Sequence, residues 1–239
     1  MKDLLQDVLE HTHALGVIDL VKVNGTDKTT EIHGLATDRS VVVNGEFNTQ
    51  VPEFKGTFGM PNMGTLKTIL GIDEYSNDAE ITVKSGKNGP EHMHFENANG
   101  DFSNDYRFMV QSVVDEMLKT VKFKGANWNV EIDPDIAAIQ RLKYQAAANS
   151  AETTFQATTK DGNLVFSMGD HSSHSGEFVF KHDVDGDLKR DWHWPIQHVI
   201  NILSLPGDKT MKISDDGACE IIVDSGIAKY TYILPAQSK

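Results

Sequence analysis

The histidines come first, because their types and spacing invite a metal. In His92-Met93-His94 the two imidazoles stand two residues apart, so on a strand both project from one face, as a pair of zinc ligands would. His171 and His174 share the polar loop GDHSSHS, and His193 lies between Trp192 and Trp194. With ten histidines in the chain, a histidine-using metalloenzyme or hydrolase on an α+β scaffold is one function class to weigh. The motifs that would anchor it are absent. There is no HExxH pair and no second cluster at a defined spacing. HDVDGDLKRDW resembles the opening of a calcium loop, but with Asp183 first, Gly186 comes fourth instead of sixth. Trp194 then stands where the bidentate Glu is required. The sequence has no lysine-bearing glycine-rich loop for phosphate and no nucleophile elbow. Cys219, the single cysteine, permits neither an internal disulfide nor a Cys-based zinc site, and inside a strand it reads as a small buried hydrophobe. The expectation is a protein with no catalytic residues, no metal and no cofactor.

The elements around these residues alternate between two periods. Leu5, Val8, Leu9 and Thr12 recur at helical spacing over residues 2–15, and Gly16 ends the run. VIDLVKV, TEIHGLA and SVVVNGEF read as strands separated by turn chemistry. A second helix starts at Asn62, with Met63, Leu66, Ile69 and Leu70 inward and Gly71 as its stop. AEITVKSG, HMHFEN and DYRFMV follow as strands. Residues 109–119, MVQSVVDEMLK, fit either a short helix or an extended linker. VKFKG and NWNVEI read as strands. A third helix is expected with Asp133 as cap, Pro134 at its first position, and Ile136, Ile139 and Leu142 inward. TTFQATT, NLVFSM and GEFVFKHDV are strands. WHWPIQHVINILSL is a fourth helix burying Ile196, Val199, Ile202 and Leu203. Trp192 and Trp194 either anchor its start or offer base-stacking surfaces. TMKIS, CEIIVDS and AKYTYIL close the chain at Pro235.

The chain has 239 residues, 39% of them hydrophobic and 24% charged, enough for a real core in one large domain or two ordinary ones. A net charge of −13 opposes nucleic-acid binding on average, unless charge is segregated by face. MKDLLQDVLEHTHAL is no signal peptide, and no apolar run approaches the ~18 residues of a membrane span. A reducing, cytoplasmic setting without membrane contact is expected. The same plan runs through the chain twice. Met63/Leu66/Ile69/Leu70, Leu5/Val8 and ITV at 81–83 have counterparts in Ile196/Val199/Ile202/Leu203, Ile136/Ile139 and MKI at 211–213, each about 130 residues on. The boundary falls near Met117–Lys124, giving domains 1–120 and 121–239.

Two similar αβ halves, an acidic chain, and the stretch KDGNLVFSMGDHSSHSGEFVF resemble a DNA sliding clamp. The close, DGACEIIVDSGIAKYTYILP, is similar to the final strands of clamps of the proliferating-cell-nuclear-antigen type, with Lys229, Tyr230 and Pro235 in the family's positions. Short loops, and the lack of a strand before the first helix, look like the phage branch. The resemblance covers most of the chain and is strongest over 130–239.

It implies the DNA clamp fold: an α+β chain of two similar domains, each with two helices packed on antiparallel sheet. Three protomers form a homotrimeric ring around double-stranded DNA. Such a ring tethers a DNA polymerase for processivity, is opened by a clamp loader ATPase, and breaks no bond itself. On that basis Lys2, Lys67, Arg141, Lys143, His198 and Asn201 would face DNA, a mildly basic lining suited to sliding; read alone, they are also ordinary solvated helix charges. The acids of 73–105 and 183–191 would lie on the outside. The family also implies an apolar partner-peptide pocket near the last strand and the linker. Ala218, Tyr232, Leu234 and Pro235, with Val110, Val113 and Val114 on the linker side, are its candidate walls. Alternation equally allows Tyr232 and Leu234 to belong simply to the buried face of the strand.

Overall fold

The computed structural model describes residues 1–87, 89–119, 123–170 and 174–237. The chain divides into two compact units, Met1–Val121 with Ser225–Tyr230, and Lys122–Asp224 with Thr231–Lys239. Among the described residues no helix is long and apolar enough to cross a membrane.

The first unit opens with α1 (Lys2–His11), which buries Leu5, Val8 and Leu9. A 3-10 turn over His13–Leu15 ends on Gly16 at φ 80°, a left-handed position that glycine occupies without steric cost. β1 (Leu20–Gly25), β2 (Thr30–Leu35) and β3 (Val42–Phe47) alternate buried and half-exposed residues, so one face of their sheet is core. β4 (Gly56–Pro61) pairs antiparallel with β1, giving the order β4-β1-β2-β3. This strand is invisible to apolar periodicity because GTFGMP carries two glycines. Gly59 has a packing reason: a Cβ there would come 2.9 Å from Val114 Cγ2. α2 (Met63–Leu70) buries the four residues its spacing predicts. A separate antiparallel sheet holds β5 (Glu80–Gly86), β6 (Gly89–Glu96) and β7 (Ser103–Arg107), with β5 and β7 outermost. The ambiguous segment resolves as β8 (Met109–Val110), paired with β4, and a helix α3 (Gln111–Met117), so the described residues of this unit hold three α-helices where two were expected.

The second unit starts with β9 (Val130–Ile132). The expected strand VKFKG does not form at Phe123–Gly125, and its first two residues lie outside the described ones, as does the expected boundary at 120–121. α4 spans Ile136–Ala148 and is capped by Asp135, not Asp133: the Asp135 carboxylate accepts a bond from the Ala138 N–H at 2.7 Å. That shift puts Ile136 at the first helical position, 87% exposed, and leaves Ala138 and Leu142 as the buried contacts. β10 (Thr154–Lys160), β11 (Asn163–Met168), β12 (Gly176–Lys181) and β13 (His193–Pro195) form a sheet of order β12-β11-β10-β13. The first residues expected in the fourth helix are thus a strand, because Trp194 pairs with Phe155 and is 1% exposed in the core. It is an anchor and cannot stack on bases. Trp192 is half-buried, its Nε1–H donating to the Asp215 carbonyl at 2.7 Å. α5 (Ile196–Leu203) then buries the predicted four residues. β14 (Asp208–Ser214), β15 (Ala218–Asp224) and β16 (Ala228–Pro235) complete the chain, with β9 flanking β14. β16 serves both units: Ala228–Tyr230 belongs to the first, beside β3, and the remainder to the second, beside β15.

Candidate functional site

Each unit pairs two helices, α1 with α2 and α4 with α5. In the first pair, Lys67 is exposed and borders a cleft of about 370 Å³ lined by Gln6, Leu9, Glu10, His13 and Leu70. Lys2 is not free to reach a ligand, because its ammonium donates to the Tyr75 carbonyl at 2.8 Å. The outer face of α1 is acidic, with Asp3 and Glu10 exposed. In the second pair, Arg141 is exposed and Lys143 half-buried at a cleft of about 480 Å³ shared with Gln197 and Ile200. His198 and Asn201 are half-buried on α5, and Gln197 Nε2 donates to Asn201 Oδ1 at 2.6 Å. The polar faces are therefore nearly balanced in charge.

The expected peptide pocket needs correction. Tyr232 and Leu234 are each 0% exposed and Ala218 is 7% exposed, so these side chains are core of the second unit and offer no surface. Only Pro235 is exposed among the four. On the linker side Val114 is fully buried beneath Gly59, whereas Val110 and Val113 are 56% and 42% exposed. Helix α3 explains the split. Val114 is the residue it turns onto β4, and its neighbours face solvent. Sequence reasoning missed an open cleft of about 740 Å³ in the first unit, walled by Leu20, Leu35, Pro61, Met109, Met117 and Leu118. Arg39, Glu116 and Lys119 also line it, and Met117 is 59% exposed. The only sequence signal was a methionine at each end of 109–117, which marks adaptable apolar surface.

His92 and His94 share one carboxylate, whereas the Nδ1 atoms of His92 and His193 are buried without a hydrogen-bond partner. His94 Nδ1 bonds Asp105 Oδ1 at 2.8 Å, and His92 Nε2 lies 3.7 Å from the same oxygen. The bond to His94 holds the Asp105 carboxyl below its usual range. Among the described residues no group of three or more His, Cys, Asp or Glu side chains could hold a metal. His171 lies outside them. Cys219 is fully buried, which pushes its thiol pKa up.

The first unit also holds a buried polar knot. Asp7 Oδ2 accepts from the Tyr230 hydroxyl at 2.6 Å and from Ser225 Oγ at 3.1 Å, while His11 Nδ1 is 3.3 Å from Asp7 Oδ1. The His11 ring stacks on Tyr230, with centroids 4.4 Å apart and planes 6° from parallel. Burial raises the Asp7 carboxyl, but the bonds from His11, Tyr230 and Ser225 outweigh it and leave its pKa lowered. The knot resembles a catalytic constellation only in composition. It is largely buried and fastens α1 to the start of β16.

No family model matches the chain, and no curated protein matches it. Among solved structures, the proliferating cell nuclear antigen of A. fulgidus, solved with the C-terminal region of FEN-1 bound, superposes with a TM-score of 0.73 at 13% sequence identity. The alignment covers 100% of this chain and 97% of that one. The chain thus has a mixed αβ clamp fold of this type over its whole length.

Proposed function

We propose that the chain is a sliding clamp: a homotrimeric ring that encloses double-stranded DNA and tethers a DNA polymerase, without enzymatic activity of its own. The observation that carries the reading is the fold correspondence along the whole chain. Internal duplication adds to it. The order β4-β1-β2-β3 in the first unit has the same form as β13-β10-β11-β12 in the second, and β5-β6-β7 the same form as β14-β15-β16. In this scheme β3 corresponds to β12, and β16 to β7. Since β3 has the opening of β16 as its neighbour, β12 and β7 form the equivalent pair, and each is an outermost strand of its sheet. A β7–β12 pairing between protomers satisfies both edges and repeats head to tail until three chains close.

In the ring α1, α2, α4 and α5 line the hole. Lys67, Arg141 and Lys143 supply its phosphate contacts, and His198 and Asn201 its polar lining, while Lys2 stays on the Tyr75 carbonyl. Few cations and an acidic α1 suit topological retention with free sliding, since each phosphate neutralised adds salt-dependent affinity. A polymerase peptide with apolar anchors docks in the 740 Å³ cleft, whose wall includes the exposed Met117. A clamp loader ATPase opens the ring, and the setting is cytoplasmic, in the phage branch of the family. Native mass and sedimentation test the reading: the 26.5 kDa chain is expected as a trimer that raises polymerase processivity on primed circular DNA. A monomer at tens of micromolar protein would refute it.

A further inference from the structure

We infer that the outer edge of β5 is a docking site for an extended segment of a partner protein, which adds a strand where the second unit carries its own. This rests on the duplication proposed above. In the second unit β14 lies between β15 and β9, with Met211, Lys212 and Ile213 opposite Ile132, Glu131 and Val130. Met211 and Ile213 are 0% exposed there. Their counterparts Ile81 and Val83 sit on β5, which has β6 on one side and, among the described residues, no strand on the other. Both are left half-buried.

The main chain points the same way. The Asn97 N–H, just past the end of β6, donates to the Phe102 carbonyl, so Asn97 turns its peptide groups toward the β7 side. Alternation then turns those of His92 and His94 toward β5, where they meet Lys84 and Thr82. The N–H and C=O groups of Ile81 and Val83 therefore face the open edge. In the second unit the equivalent Ile213 carbonyl accepts from the Asn129 N–H at 3.0 Å. Among the described residues no main-chain bond reaches Ile81 or Val83 from outside the sheet, although the turn at Pro52–Phe54 packs nearby. The hydroxyl of Thr82, between them, is buried and without a hydrogen-bond partner.

The occupant's chemistry is given by what covers β14. It is an extended run of apolar, polar, apolar residues, as in Val130-Glu131-Ile132. The middle side chain is a hydrogen-bonding one, which stands across from Thr82 as Glu131 stands across from Lys212. The probe is a synthetic peptide of residues 127–135 of this chain, added in millimolar excess to the full-length protein. Amide hydrogen exchange is read residue by residue. Exchange at Ile81 and Val83 is expected to slow at least tenfold, with Thr82, already bonded to β6, unchanged. Val83→Pro removes one outward N–H without touching the β6 ladder and should abolish the slowing at Ile81. No slowing with the probe overturns the inference, as does equal slowing with a scrambled peptide of the same composition. Sedimentation of the same sample separates the two proposals: a trimer without protection sinks the docking edge, and a monomer with protection sinks the ring.

Discussion

Tyr230→Phe isolates one bond in the buried knot. The variant keeps the ring that stacks on His11 and deletes only the hydroxyl that donates to Asp7 Oδ2 at 2.6 Å. The acceptor is a carboxylate held ionised, and hydrogen bonds to charged groups contribute about 1.5–3 kcal/mol. Ser225 and His11 remain on Asp7, so the loss should sit near the middle, about 2 kcal/mol at pH 7. For a chain this long that lowers the melting temperature by about 4–8 °C. The pH dependence has a definite sign. The Asp7 pKa is lowered on folding from 3.8, so the ionised knot's contribution is complete above that value and is lost as pH falls through the folded pKa. The hydroxyl raises the affinity of folded Asp7 for the ionised form, so removing it also moves that pKa back toward 3.8. Urea unfolding of wild type and Tyr230→Phe at pH 7 and at successively lower pH reads both effects. The gap between the two should be widest at neutral pH and narrow in acid. A difference below about 0.5 kcal/mol at pH 7, the scatter of a neutral surface change, would refute the assignment. So would a gap that grows as pH falls.

Reversing Lys67, Arg141 and Lys143 together to Glu should weaken polymerase stimulation on primed DNA and leave the oligomer intact by sedimentation; unaltered long synthesis at ordinary salt refutes their DNA-facing role. Leu234→Ala should cost about 2–5 kcal/mol in chemical denaturation because it opens a cavity in the core, whereas Pro235→Ala should cost little. Met117→Asp should weaken a polymerase-tail peptide by about 1–3 kcal/mol in a titration without unfolding the protein, and unchanged affinity places docking outside the cleft. Asp135→Ala should destabilise by about 0.5–2 kcal/mol through loss of the α4 cap, while Asp133→Ala should show no capping loss in the same assay.

Periodicity carried most of the fold. The two four-residue helical faces of α2 and α5 were readable because each side chain enters the core at regular spacing, with a terminating Gly71 in one case. β4 was not readable, because Gly59 serves close approach to Val114, a contact distant in sequence. Nor was β13, where Pro195 next to an apolar helical run hid a strand fixed by Phe155. For the site, helical spacing put Lys67 and Arg141 outside the core, and both are exposed. It could not tell that Lys2 is occupied by a carbonyl, since that partner is 73 residues away in the chain. Alternation placed Tyr232 and Leu234 correctly on one face but could not say whether that face met solvent. Clefts built from the ends of several strands, such as the one at Met109 and Met117, leave almost no local trace.

The division of β16 between the units has a consequence for biosynthesis. Residues 225–230 belong to the first unit, and the Ser225 and Tyr230 bonds to Asp7 span 218 and 223 positions. When the ribosome has finished residue 121, that unit still lacks part of one sheet and the donors for a buried carboxylate. At ~5–20 residues per second, the missing segment arrives roughly 5–20 s later. Through that interval the nascent N-terminal half presents an unfilled core, and β3 lacks the partner it has in the finished chain. It is then the form of this protein most exposed to holdase chaperones and to mispairing with a neighbouring nascent chain.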